Sequence, residues 1–289
     1  MLSRDDISAF LTDGYVAVRG AVPGSVAAAC REVVWSELRQ RGVLRDDPST
    51  WTAPVVRIPC PEGGPFVTAG TVPPLQEACD QLIGAGRWRR RAGVGGTIPV
   101  RFPGDDDPGD AGWHIESSYQ ADGQSRVSVG SRDRGLTALY LLTDVEPDGA
   151  PTRLRPGSHL DVPPILAPAG EDGLDWSKAA PLAAQASAHR PTVLATGRAG
   201  DVFLCHPFLV HAATWPHRGH FPRMIAQPGV AVLEPYRLQP APGEPPPPVE
   251  RAIINGLSPR VTRRGSGGRA AWRGPCRPAR PCGASPRWA

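Results

Sequence analysis

The sequence predicts an α+β protein whose centre is an antiparallel sandwich or barrel. Three observations lead there. The first 92 residues carry helical periodicities. From about residue 95 the texture changes to short alternating or apolar runs. The 35 prolines and 33 glycines are spread along the chain, which suits many strands joined by turns. With 289 residues and 40% apolar content, a single large domain with a sizeable core is expected over residues 1–258.

Ser3 followed by Asp5 and Asp6 marks a helix start, a hydroxyl cap and then acids at the positive end of the helix dipole. Asp13-Gly14 stops that helix, and YVAV (15–18) reads as a short strand. Val26, Ala29, Cys30, Val33, Val34 and Leu38 then recur at the spacing of one helical face. A further helix is expected over residues 75–92, ending in the basic run RWRRR (87–91). Strand-like runs follow: TIPVRF (97–102), WHIESSY (113–119), LTALYLLTDV (136–145), TRLRPGSH (152–159), GDVFLCHPFLVH (200–211) and RMIAQPGVAVL (223–233). The prolines of PAPGEPPPP (240–248) keep that stretch extended, and a short helix follows with Val249, Ala252, Ile253 and Leu257 on one face.

Residues 259–289 are rich in Arg, Gly, Pro and Ala without periodicity, which predicts a disordered tail. A non-selected extension explains it better than an RNA-binding arm. Eight arginines and no acid lie there, so taking them away from the net charge of +4 leaves −4 on residues 1–258. A mildly acidic body is not a nucleic-acid surface. The six cysteines form no CxxC pair, and the N-terminus lacks an apolar leader, so reduced thiols in a cytoplasmic protein are expected. No run approaches the ~20 apolar residues of a membrane span.

GWHIESSY (112–119) raises the chemical question. On a strand, residues two apart leave the same face about 7 Å apart, so His114 and Glu116 would form a chelating pair in need of a third ligand. Three protein ligands make an open catalytic metal site. His159 lies in a turn after a strand, and His189, His217 and His220 have polar, loop-like surroundings that suit exposure. His206 and His211 flank an apolar strand and, five apart, would face opposite ways. His211 ends that strand before small residues, a suitable approach for a metal, while His206 precedes Pro207 and suits a turn. Arg223 opens another apolar strand. A guanidinium in apolar surroundings is costly unless it meets an anion, and its planar fork matches a carboxylate. Gly84-Ala-Gly86 is not a dinucleotide loop, because Arg89 stands where the third glycine belongs.

In these residues the chain resembles the phytanoyl-CoA dioxygenase-like branch of the Fe(II)/2-oxoglutarate oxygenases. The segments that carry the resemblance are DGYVAVRGAVP (13–23), WHIES (113–117), LTDVEPDGAPTRLRPGSH (142–159) and GDVFLCHPFLVHAATWPHRGHFPR (200–223), within about residues 5–235. The family order HxD…H…R matches His114, Glu116, His211 and Arg223. The resemblance implies a double-stranded β-helix (a jelly-roll or cupin-like barrel) over about residues 95–235, flanked by N-terminal helices within residues 1–92. It implies that His114, Glu116 and His211 hold Fe(II), and that Arg223 holds the cosubstrate 2-oxoglutarate by its distal carboxylate, with Thr214 as a hydroxyl donor. O2 is the co-reactant, and hydroxylation of a C–H bond is the usual outcome. Glu116 replaces the family's aspartate, adding one methylene, but a carboxylate there still argues against a halogenase. Ala150 stands where a glycine is usual, and Leu139 where an aromatic often stacks on the cosubstrate.

A cupin-like metal enzyme with non-oxidative chemistry and a non-catalytic descendant that binds a ligand or partner remain open as alternatives. The expected partner is a small-molecule substrate, contacted by loops in residues 45–75, 103–112, 120–135 and 160–195. Lys178 is the only lysine, a bias typical of GC-rich coding sequence, and points to tailoring of a specialised metabolite.

Overall fold

The computed structural model describes residues 1–131 and 133–258; the predicted disordered tail lies outside the described residues. Helix α1 (Arg4–Asp13) begins in a capping box, in which the Asp6 amide donates to the Ser3 hydroxyl and the Ser3 amide donates to the Asp6 carboxylate. Such a cap is worth about 1 kcal/mol. Gly14, at φ 86°, ends the helix in the left-handed conformation. Next come β1 (Tyr15–Val18), α2 (Gly24–Arg39), β2 (Val55–Pro59), α3 (Pro65–Gly70) and α4 (Pro73–Ile83). Helix α4 is shorter than the predicted span of 75–92. Gly84 and Gly86 take φ of 106° and 72°, which breaks the helix before the basic run, and Trp88 pairs with Val232 instead.

The remaining strands are β3 (Thr97–Arg101), β4 (Tyr119–Ala121), β5 (Gln124–Val127), β6 (Leu136–Leu141), β7 (Thr152–Leu154), β8 (Leu174–Asp175), β9 (Val193–Ala195), β10 (Val202–Cys205), β11 (His211–Ala212), β12 (Arg223–Ala226) and β13 (Gly229–Val230). Helices α5 (Pro163–Leu166) and α6 (Trp176–Ala186) fall between β7 and β9, and α7 (Pro248–Leu257) closes the described chain. Among the described residues the ladders are antiparallel. One sheet has the order β1-β10-β6-β12-β3-β2 with β13 also beside β6, a second is β11-β7-β9, and a third is β4-β5-β8.

Alternation along the strands divides the core in two. Leu139, Leu141, Phe203, Cys205 and Ile225 of the large sheet meet Leu154 and Ala195 of the β11-β7-β9 sheet in one inner cluster. Ala138, Tyr140, Leu204, Met224 and Ala226 point the other way, to Cys30 and Val34 of α2 and Leu75, Cys79 and Leu82 of α4. Strand β6 is therefore buried on both faces, which explains why LTALYL lacks polar alternation. Among the described residues no helix is long and apolar enough to cross a membrane. Buried Ala150 takes φ 50°, a left-handed position that favours glycine, at a cost of about 1 kcal/mol.

The histidine of PGSH is a structural residue. His159 is fully buried with Nε2 3.2 Å from the Leu11 carbonyl, and its ring lies against Gly14, where a Cβ would come within 2.5 Å of Nδ1. Its ring also stacks near His206, whose Nδ1 accepts from the Phe208 amide and so holds a turn. Burial keeps both rings neutral, lowering the His159 pKa to about 4 and that of His206 well below its ordinary value. An unfolded histidine protonates near pH 6.5, so between pH 6.5 and 4 the unfolded chain binds more protons and stability falls with pH. His159 alone is expected to cost on the order of 3 kcal/mol by pH 4. Urea midpoints measured from pH 7.5 down to 4.5 check this, and a flat profile refutes it.

Candidate metal centre

WHIESSY does not form the regular strand that the sequence predicts. Within residues 113–118 only His114 pairs, as an isolated bridge to His211. The two residues exchange both backbone hydrogen bonds, each 2.9 Å long. This corrects the expected cause of convergence. It is not i,i+2 alternation that aligns the ligands but a cross-chain pair that sets two imidazoles side by side, with ring centroids 4.4 Å apart. The Glu116 carboxylate then reaches in, with Oε1 3.4 Å from His211 Nε2. One ligand atom from each of His114, Glu116 and His211 lies within 4.8 Å of the others, so small side-chain rotations bring all three to one ion.

The hydrogen bonds behind these groups orient them. His114 Nδ1 is 2.9 Å from the Gly112 carbonyl, and His211 Nδ1 is 2.9 Å from the Leu209 carbonyl. A nitrogen facing a carbonyl carries the proton, which leaves each Nε2 lone pair free for a metal. Arg134 Nη1 stands 3.5 Å from Glu116 Oε2, and its Nε donates to the Ser117 carbonyl at 2.8 Å. Burial works to raise the Glu116 pKa, but the His211 hydrogen bond and the Arg134 charge prevail and hold it at about 2. For His211 burial lowers the pKa, while the Glu116 hydrogen bond and charge raise it further, for a net rise. Burial and the neighbouring His211 lower His114. An ionised carboxylate drawing positive charge onto one imidazole marks a place suited to a cation.

Arg223 opens β12 directly opposite Arg101 of β3. Ile225, two residues on, belongs to the inner cluster, so Arg223 points into the space between the two sheets. It is 2% exposed, and Nε and Nη1 are buried without a hydrogen-bond partner among the described residues. Arg101 differs. Its Nη2 binds both oxygens of Asp110 at 2.6 and 2.7 Å, and Arg57 shares that carboxylate. Among the described residues Arg223 forms no such ion pair, although the Asp110 charge acts on it from beyond contact. Burial and then the Arg101 charge lower its pKa to about 9, which still leaves it charged at neutral pH.

Thr214 spends its hydroxyl proton on the Pro151 carbonyl. Leu139 lies in the inner cluster at 2% exposure. The hydroxyl that is buried, unpartnered and on the cavity wall is that of Thr152, which the sequence does not single out. His189 and His220 are exposed as expected, but His217 is buried to 6% exposure, because its main chain pairs with Gly104.

A cavity of about 680 Å³ opens against His114, Glu116 and His211. The predicted loops supply Arg57, Gly109, Asp110 and Gly112, and also Trp176, Ser177, Ala180 and Pro181; the described residues of 120–135 supply no lining. The last four belong to helix α6, in a stretch that the sequence predicts to be loop. Trp176 is fixed by a hydrogen bond from Nε1 to the Ile115 carbonyl, 2.5 Å, between the two nearest ligands, and its ring meets His114 edge-on at 6.2 Å. Trp113 is faced by the guanidinium groups of Arg153 and Arg155, 4.8 and 4.1 Å from its ring centroid.

Two histidines and a carboxylate at a cavity, with a buried guanidinium inside a two-sheet core, are the donor set and cation found in non-haem iron oxygenases that use 2-oxoglutarate. The chain belongs to the phytanoyl-CoA dioxygenase (PhyH) family, whose family model matches residues 75–225 and so spans all four residues. Among solved structures it is similar to the non-heme alpha-ketoglutarate-dependent carbocyclase SnoK from nogalamycin biosynthesis, at 20% identity, covering 80% of this chain and 84% of that one with a TM-score of 0.54. It is similar to HygX from Streptomyces hygroscopicus with nickel and 2-oxoglutarate bound, at 17% identity, 82% and 90% coverage and a TM-score of 0.52. The epimerase SnoN in complex with Fe3+, alpha-ketoglutarate and nogalamycin RO is comparable, at 18% identity, 79% and 81% coverage and a TM-score of 0.51. At these identities the likeness establishes the fold. No curated protein matches the chain in sequence.

Proposed function

We propose that the chain is an Fe(II)- and 2-oxoglutarate-dependent dioxygenase that hydroxylates an unactivated C–H bond of a small-molecule specialised metabolite. On this reading residues 1–258 form one oxygenase domain, and the two sheets that share the inner cluster are the halves of a double-stranded β-helix. The observation that carries the reading is the pairing, in one core, of the His114–Glu116–His211 cluster with a buried Arg223 that forms no ion pair among the described residues. A metal site with non-oxidative chemistry would leave that cation without an anion to meet. The relatives support the same direction: HygX is seen with nickel and 2-oxoglutarate, and SnoK and SnoN belong to nogalamycin biosynthesis.

His114, Glu116 and His211 would hold Fe(II) and leave its cavity side open. Iron held there with 2-oxoglutarate supplies the activation of O2 for oxidation of a C–H bond. The Gly112 and Leu209 carbonyls keep both imidazole lone pairs turned to the site. Arg134 Nη1, 3.5 Å from Glu116 Oε2, would restrain the carboxylate and offset the freedom of its extra methylene. Arg223 would bind the distal carboxylate of 2-oxoglutarate by a charge-assisted fork. Trp113, Trp176 and Pro181 limit water around the reacting centre and offer apolar surface to the substrate, with Arg57 and Asp110 as polar contacts.

Anaerobic titration tests the reading. Fe(II) and 2-oxoglutarate together are expected to give a visible charge-transfer band that neither gives alone. No band with both present would reject the oxygenase, and metal analysis of the purified protein would then separate a different metal enzyme from a non-catalytic binder.

A further inference from the structure

We propose that the chain carries a regulatory site for a phosphate-class oxyanion, in a separate cavity behind the carboxylate of Glu116. This cavity has a volume of about 360 Å³, and Arg91, Ser118, Arg134 and Gly229 are among the residues on its wall. It shares no lining residue with the cavity at His114 and His211.

Two guanidinium groups meet at Gly229. Arg91 donates from Nη1 to the Gly229 carbonyl and from Nε to the Gly93 carbonyl at 3.2 Å. A Cβ on Gly229 would come within 2.7 Å of Arg134 Nη1, so both side chains close on that glycine. Arg91 forms no ion pair among the described residues, and carbonyls satisfy its hydrogens without cancelling its charge. Burial lowers its pKa and the Arg134 charge adds to the fall, against Tyr140, Cys60 and Cys79. Ser118, on the same wall, is 3% exposed, and its hydroxyl has no partner among the described residues. Buried hydroxyls are seldom left so. The acid on this wall, Asp133, is exposed and forms no ion pair with either arginine.

The donors come from three parts of the chain: Arg91 beyond α4, Ser118 just before β4, and Arg134 just before β6. A planar carboxylate answers a single guanidinium fork. A phosphate carries up to two charges and accepts in several directions, which suits two forks and a hydroxyl. Arg134 also ties this cavity to the metal centre, because its Nη1 stands 3.5 Å from Glu116 Oε2. A divalent ion on Glu116 would turn the local charge positive and draw an anion to the far side of Arg134. Linkage makes the effect mutual, so the anion would tighten metal binding in turn. That coupling rests on the metal-binding part of the oxygenase reading; the anion site does not.

Calorimetric titration of the full chain without metal tests the site, with inorganic phosphate in one arm and glycerol 2-phosphate in the other. Tighter binding of the ester would identify a phosphorylated metabolite as the source, and equal or weaker binding the free ion. Arg134 also faces Glu116, so the charge is removed at Arg91. Arg91→Met should weaken phosphate by about tenfold or more. Ser118→Ala should weaken it by about threefold yet melt no lower than wild type, since the lost hydroxyl is unpaired. If wild type binds neither anion, or both folded variants bind as tightly as wild type, the site is overturned and the oxygenase reading stands. Sulfate, of the same shape and soluble with nickel, reads the coupling. It should bind about fivefold or more tightly once nickel is present. Arg91→Met should lose most of that binding, which sulfate held on the nickel itself would keep. Equal affinity with and without nickel overturns the regulatory link. If nickel does not bind at all, the oxygenase reading fails and the anion site stands alone.

Discussion

Alanine in place of His211 is expected to abolish 2-oxoglutarate-dependent succinate formation and to weaken divalent-metal binding by more than about 100-fold, since loss of an outer-shell partner alone costs ~10–100-fold. The geometry explains the size of the effect. His211 supplies one of three ligand atoms, and its Nε2 is also the group that Glu116 approaches at 3.4 Å. Removing it takes one ligand and frees a second. His206, five residues earlier, is the control. It is 1% exposed, accepts from the Phe208 amide and lies 3.3 Å from the Val249 carbonyl, so it ties β10 to the following turn and to α7. His206→Ala should lower the melting temperature while each folded molecule still binds metal. Cobalt or zinc titration and mass spectrometry of succinate decide the matter. Turnover that survived loss of His211 but not of His206 would show that the wrong histidine had been chosen as ligand.

Arg223→Leu should produce two effects of opposite sign. The 2-oxoglutarate concentration needed for half-maximal rate is expected to rise by about 100-fold, in line with the ~2–5 kcal/mol cost of truncating one partner of a buried charge pair. The protein without cosubstrate should become more stable, because leucine of similar volume removes a buried cation that forms no ion pair among the described residues. Thermal melts with and without 2-oxoglutarate read both. Wild type should shift upward on addition, by mass action, whereas the variant should start higher and stay there. A variant that melts lower than wild type without 2-oxoglutarate would mean that the fold already satisfies the guanidinium.

Local chemistry made much of this molecule readable. The Ser3 cap, the Gly14 stop, YVAV and the apolar face of α2 are decided within a few residues, and they form as the sequence predicts. Readings that depended on distant contacts fared differently. WHIESSY looked like a strand because it is rich in strand formers, but it splits: His114 forms an isolated bridge, and only its last residue, Tyr119, enters a strand, β4. Helix α6 falls in a stretch expected to be loop; it carries Pro181 within it, and Ala179, Ala180 and Ala183, all buried, were the available signal. His217 looked exposed because its sequence neighbours are polar, while its burial comes from Gly104, more than 100 residues away. Thr152 gave no signal, since a hydroxyl on a short strand becomes notable only when no partner is found for it. The three residues that cluster as candidate ligands, His114, Glu116 and His211, could be named from the sequence by type and order. What brings them together was not.

The reciprocal amide–carbonyl bonds between positions 114 and 211 carry a consequence for descent. Main-chain pairing is indifferent to the identity of the side chains around it. Once two ligands are joined through the backbone, drift can rewrite the surrounding sequence and leave their mutual position untouched. A scaffold of this kind can diversify toward new substrates while the reacting centre it carries stays geometrically constant.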